Sequence, residues 1–170
     1  MTEPITSMTC RQTRSYLEHI IQPSDTNGMR NLFGGRLMYM VDSIAFLAFA
    51  KLTRVHGVTA SMDQLNFIAP LPMSDSLHME TYVSGVSKKS VEVFVKVFGE
   101  NLETGETYLA ATAFLTFVAV FPKGQEKPLP QIIPETEEEI CVCQGYEERR
   151  NNRLRQKEAS LAFHNKLRLS

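Results

Sequence analysis

Asp42 is the one charged residue in the run from Leu37 to Ala50, LMYMVDSIAFLAFA, which otherwise reads as a buried helix. On a helix, Met38, Tyr39, Ala45 and Phe46 share its face, and none of them can neutralise a carboxylate. Burying an unpaired carboxylate is strongly unfavourable and raises such a group's pKa unless donors solvate it. In that setting an acid serves as general base or nucleophile near neutral pH. Upstream, Gly34 and Gly35 open the same helix, leaving backbone N–H groups unpaired and unshielded by a Cβ. Such a turn can hold an anion or a developing oxyanion. Seven residues, about two turns, separate Gly35 from Asp42, so donors and acid do not touch. A substrate lying between two subunits could take its donors from one and the acid from the other. The same residues admit plainer readings: an Asp paired with an unseen partner or set at the solvent edge of its helix, and a glycine pair that makes a tight turn.

The elements that must position these groups follow from pattern. Thr13 to Ile21 reads as a first strand, followed by the turn residues Pro23, Ser24, Asp25, Asn27 and Gly28. The helix comes next, closed at His56 and Gly57. Four strands follow, Val58–Ile68, Leu77–Val86, Val91–Phe98 and Tyr108–Phe121, rich in β-branched and aromatic residues. Turn signals at Pro70-Leu71-Pro72, Lys88-Lys89 and Thr104-Gly105 divide them. One strand, one long apolar helix and four antiparallel strands predict an α+β domain whose curved sheet wraps the helix. On this reading the helix is apolar nearly all round because it is covered nearly all round.

Composition narrows the function. The 170 residues are about two fifths apolar with a net charge of −1, enough for one core and without the field of a nucleic-acid binder. Cys10, Cys141 and Cys143 are odd in number and lack paired spacings, which suits a reducing cytoplasm; Cys141-x-Cys143 has no second cluster, so no metal is expected. No signal peptide is expected from the first residues, and the apolar run at Ile44–Ala50 is far shorter than the roughly 20 residues that span a bilayer, so no membrane partner is expected.

The segments PSDTN, NLFGGRLM and VDSIA, in that order, resemble the signature of the hotdog-fold acyl-CoA thioesterases, in the bacterial and cytosolic acyl-CoA hydrolase branch. The runs at 58–67 (VTASMDQLNF), 90–97 (SVEVFVKV), 102–119 (LETGETYLAATAFLTFVA) and 130–139 (PQIIPETEEE) extend the resemblance over about Tyr16 to Glu139. It implies a single hotdog domain that hydrolyses fatty acyl-CoA to the free acid and coenzyme A, needing no cofactor beyond the coenzyme in its substrate. Asp42 matches the family's catalytic acid, acting as general base or nucleophile. Asn31, three residues before the Gly-Gly, matches an asparagine that completes the site across a dimer; read by itself it is a turn or N-cap residue. Gly34 and Gly35 would polarise the thioester carbonyl. The turn Ser87-Lys88-Lys89-Ser90 resembles the hairpin that meets the pantetheine and phosphate groups, though Lys-Lys also suits a plain solvated turn. Met38, Met40 and Phe46 could line an acyl tunnel. A homodimer is the expected minimum, since one unit leaves edge strands and half a site, and the resemblance implies a trimer of dimers.

The chain then divides into a flexible arm (1–12), the hotdog domain (13–121), a Pro-rich linker (122–134) and a charged helical tail (135–170). The tail runs from acidic, Glu135–Glu139, to basic, Arg149, Arg150, Arg153, Arg155 and Lys157, which complements a helix dipole. It either packs on a neighbouring subunit or helps hold coenzyme A phosphates. Two other functions compete with hydrolysis. A hotdog hydratase would place a His in the site, where the helix has none. A non-catalytic acyl-CoA sensor has no use for the acid, and no DNA-reading motif precedes the domain.

Overall fold

The computed structural model describes residues 6–167; the first five residues of the expected arm and residues 168–170 of the tail lie outside the described residues. The chain opens with a short strand, β1 (Ser7–Thr9), one helical turn, α1 (Cys10–Thr13), and β2 (Ser15–Ile20). The long helix α2 (Gly34–Thr53) follows, then β3 (His56–Phe67), β4 (Ser76–Val86), β5 (Ser90–Glu100) and β6 (Thr107–Val120). A short β7 (Gln131–Ile133) and two helices, α3 (Glu137–Gln144) and α4 (Tyr146–His164), complete it. Five strands make one antiparallel sheet in the order β2-β4-β5-β6-β3, and α2 lies across one face of it. This is the hotdog arrangement.

Helix α2 buries Val41, Ile44, Ala45, Ala48, Phe49 and Leu52 against the inward residues of the strands, among them Val91, Val93, Leu115 and Phe117. Phe49 stacks on Phe117 with ring centroids 5.4 Å apart. Helix α2 stops earlier than its composition suggests. Arg54 takes a left-handed conformation and returns its N–H to the Ala50 carbonyl, so His56 and Gly57 begin β3 and do not end the helix. Gly57 is there because the Phe49 ring occupies its side-chain space: a Cβ would stand 2.3 Å from two ring atoms.

Three sequence expectations change in detail. The described part of the arm is ordered, because β1 pairs in parallel with β7, and β7 in turn makes the Pro-rich stretch part of the fold. The tail is two helices, each with its own start: Thr136 caps α3 in a reciprocal box with Glu139, and α4 begins after Gly145. The third change concerns what the tail packs on. It lies on the outer face of the chain's own sheet, where Glu92 of β5 is completely buried and held by Arg149 (2.8 and 3.1 Å), Arg153 (2.6 Å) and the Ser84 hydroxyl (2.8 Å). Arg149 also lies 3.9 Å above the Phe114 ring. These two arginines are therefore engaged within the fold, which leaves Arg150, Arg155 and Lys157 as the exposed or half-buried cations of α4.

Candidate active site

The turn before α2 is built on side chains that bond to backbone. Asn27 accepts from the N–H groups of Met29 (2.9 Å) and Asn31 (3.2 Å) through its Oδ1, and its own N–H donates to the Asn31 carbonyl at 2.8 Å. With the oxygen so engaged, the Asn27 amide is fixed in place and its NH₂ has no protein acceptor among the described residues. Asp25 anchors the loop from below: buried, it bonds His19 Nε2 at 2.7 Å and the Gln22 N–H at 3.1 Å, and pairs with Arg36 of α2 at 3.3 Å. Its carbonyl accepts from the Phe33 N–H at 2.8 Å, which fixes where α2 starts.

At that start no side chain caps the helix, and the N–H groups of Gly34 and Gly35 have no protein acceptor among the described residues. They are available as the pair of donors the sequence predicts. A Cβ on Gly35 would fall 2.6 Å from the Phe33 ring, whereas one on Gly34 would meet Phe67 at an ordinary 3.7 Å. Asn27, Asn31 and Gly34 line one cleft of about 390 Å³, walled by Leu32, Leu37 and Phe67.

Asp42 does not line that cleft. It lies eight residues along α2 from Gly34, about 12 Å, too far for both to meet one carbonyl. Nor is it desolvated as the apolar run suggests. The sheet ends at β3, so the side of α2 beyond it is uncovered, with Met38, Tyr39 and Leu47 exposed by 43, 63 and 50%. Asp42 is half-buried at this boundary, and the Thr59 hydroxyl of β3 donates to its Oδ1 at 2.8 Å. Thr59 is the partner that the helix periodicity hides, because it is supplied by the neighbouring strand. The acyl tunnel is also changed: Met40 is packed in the core, while Met38 and Phe46 lie on the uncovered side.

The β4–β5 hairpin carries the remaining candidates. Ser87 and Ser90 bond each other, Oγ to Oγ at 2.6 Å, and the exposed Lys88 and Lys89 have no acidic partner among the described residues. Ser90 is in register with Val118, and Val118 with Val58, so the hairpin lies at the Thr59 end of the sheet, opposite the Asn27 cleft. Ser87, Lys88 and Lys89 line a second cleft of about 460 Å³ together with Lys127.

The anchoring of this loop is pH-dependent. The hydrogen bond from His19, with those from Gln22 and the Arg36 charge, lowers the Asp25 pKa against the opposing effect of burial. A lowered folded-state pKa gives stability that is complete above the unfolded value and is lost as pH falls through the folded one. Asp25→Asn is therefore expected to lower stability by about 1–3 kcal/mol at neutral pH, with the gap to the parent closing below about pH 4. Thermal unfolding of the two proteins across pH 3–7 measures it.

Comparison with known proteins shows the family and the fold. Residues 29–106 match the model of the thioesterase superfamily. The chain is 44% identical to an uncharacterized acyl-CoA thioester hydrolase of Bacillus subtilis, over 93% of this chain and 92% of the relative. It is 32% identical to the human cytosolic acyl coenzyme A thioester hydrolase, over 77% of this chain and 35% of that protein. Among solved structures, acyl-CoA hydrolase from Bacillus cereus superposes with a TM-score of 0.91 at 34% identity, covering 96% of this chain and 99% of that one. A hexameric acyl-CoA thioesterase gives 0.84 at 36% identity, covering 90% and 98%. Acyl-CoA hydrolase from Staphylococcus aureus, solved as an aspartate-to-alanine mutant, gives 0.89 at 28% identity, covering 95% and 99%. That enzyme is also known as threonine-to-alanine and asparagine-to-alanine mutants, the latter with coenzyme A, and in complex with butyryl coenzyme A. No helix among the described residues is long and apolar enough to cross a membrane.

Proposed function

The chain belongs to the acyl-CoA thioester hydrolases of the thioesterase superfamily, and from that premise we propose that it hydrolyses fatty acyl-CoA at a site shared between two copies of itself. The observation that carries this reading is the separation of unpaired donors and acid on one helix, beside an edge strand with one free side. Pairing β3 antiparallel with its counterpart about a twofold axis near Asp63 sets Thr59 of one copy across from Phe67 of the other. Phe67 walls the Asn27–Gly34 cleft, so Asp42 of one copy then faces the donors of its neighbour. The pairing also covers the exposed side of α2. Relatives assembled as hexamers support such a dimer as the repeating unit, with three dimers in the whole.

In this site the Gly34 and Gly35 N–H groups take up the charge that develops on the thioester oxygen. The Asp42 carboxylate, held by Thr59, takes a proton from water as the water attacks the carbonyl carbon. The carbon–sulfur bond then breaks, and that proton leaves on the coenzyme A thiol. An asparagine amide orients water or carbonyl. Asn31 also lines the cleft, but Asn27 is the better candidate because two backbone N–H groups hold its oxygen and so fix the position of its NH₂, whereas no hydrogen bond holds the Asn31 side chain among the described residues. In the Staphylococcus aureus enzyme the mutated asparagine, aspartate and threonine are spaced as Asn27, Asp42 and Thr59 are here, which supports the same choice. Lys88 and Lys89, at the acid's end of the sheet, suit the coenzyme's phosphates, with Ser87 and Ser90 shaping the turn. The cytosolic human relative supports a cytoplasmic setting.

Thiol release from acyl-CoAs of increasing chain length tests the reading: turnover of the longer, fatty substrates is expected, and none with any of them would refute it. Thr59→Ala is expected to lower kcat about tenfold by removing one donor from the carboxylate, with Thr59→Ser restoring most of it. An unchanged Thr59→Ala would mean that the Asp42 contact is not used.

A further inference from the structure

Two cysteines far apart in the chain meet on the outer face of the sheet, away from the site described above. Cys10 is fully buried on α1, whose start is capped by Thr9 in a reciprocal box with Gln12. Its sulfur lies 3.5 Å from the Val83 carbonyl of β4, and the Thr13 hydroxyl of the same turn accepts from the Val83 N–H at 3.0 Å, which ties α1 to the sheet. Cys143 is half-buried on α3, whose capping-box partner Glu139 is buried in an ion pair with Arg14 just beyond α1. Held from both sides, the two sulfurs stand 3.7 Å apart although 133 residues separate them. Cys141, two residues earlier, faces solvent.

We propose that Cys10 and Cys143 form a redox modification site, joined as an intrachain disulfide by exchange with a small-molecule disulfide. Cys143 attacks first: it is the more accessible of the pair, and the hydrogen bond from Cys10, aided by the nearby Arg149 charge, lowers its pKa. Its sulfur bonds to one sulfur of the reagent, whose S–S bond breaks to release one thiol. Burial and the same hydrogen bond raise the Cys10 pKa, so this thiol reacts second. Once the neighbouring sulfur is in a mixed disulfide, no thiolate opposes Cys10 ionisation; its sulfur displaces the second thiol and the protein disulfide closes. The two protein thiol protons leave on the two released thiols. The bond needs the sulfurs to close to about 2.0 Å, a short movement of α3 against α1. It links the start of the fold to its C-terminal helices and encloses the whole sheet, so it raises resistance to unfolding.

The test treats the full chain with glutathione disulfide, alkylates free thiols and maps unreduced peptides by mass spectrometry. A Cys10–Cys143 crosslink is expected with Cys141 alkylated, together with a rise in Tm that dithiothreitol reverses. Cys141→Ala should keep both effects and Cys143→Ala should lose both. Glutathione retained on Cys143 with Cys10 still alkylatable, a Cys141–Cys143 crosslink, or a crosslink between chains would each overturn the proposal.

Discussion

Asp42→Asn is expected to reduce kcat about a thousandfold while the protein keeps its fold and oligomeric state. Asparagine is the same shape, and its amide oxygen can still accept the Thr59 hydroxyl bond that the carboxylate accepts at 2.8 Å. What it loses is the capacity to take a proton or to attack. Because Asp42 is half-buried at the edge of α2 and not in the core, the change leaves packing untouched. Tm should therefore move by only a degree or so, in contrast to the fall in rate. Thiol release by parent and variant at matched oligomeric state measures both quantities. Equal turnover would leave the family's reaction in place and remove Asp42 from it.

The largest effect on stability is expected at Glu92. Its side chain is completely buried, and two arginines of α4, themselves 14 and 16% exposed, have it as their shared counterion. Glu92→Ala leaves Arg149 without an acidic partner and Arg153 with only Asp63, at 3.6 Å, and empties the carboxylate's space, a loss of about 3–5 kcal/mol. Since Glu92 is where Arg149 and Arg153 together tie α4 to β5, the helix should loosen before the sheet melts. Limited proteolysis should then cut within 146–164 while the core resists. A single cooperative loss of the whole domain at the parent's temperature would contradict this placement of Glu92.

Most of the fold is legible because its signals are local. Period-two alternation marks the strands, and the Gly34-Gly35 pair marks the start of α2. What escapes notice depends on partners far along the chain. The β1 segment is a strand only because β7 lies beside it. In SVEVFVKV, Glu92 falls on the outward side, which alternation alone assigns to solvent; the arginines that bury it come 57 and 61 residues later. The site divides the same way. Asp42 and the glycine donors stand out by type and spacing within one helix. The solvation of Asp42 does not, because it depends on where the sheet stops and on Thr59, 17 residues further on. The choice between Asn27 and Asn31 turns on which amide the backbone occupies, and that becomes visible only when the turn is folded.

The central claim, that acid and donors come from different copies, is tested most directly by complementation. Asp42→Asn and Asn27→Ala chains, each expected to be nearly inactive, are refolded together in equal amounts. With a shared site, random pairing leaves one site in about four carrying both intact residues, and thiol release should recover to about a quarter of the parent rate per chain. Mixed oligomers, verified by tags on both chains, that stay as inactive as the separate variants would place Asp42 and Asn27 in one subunit's site and contradict the account.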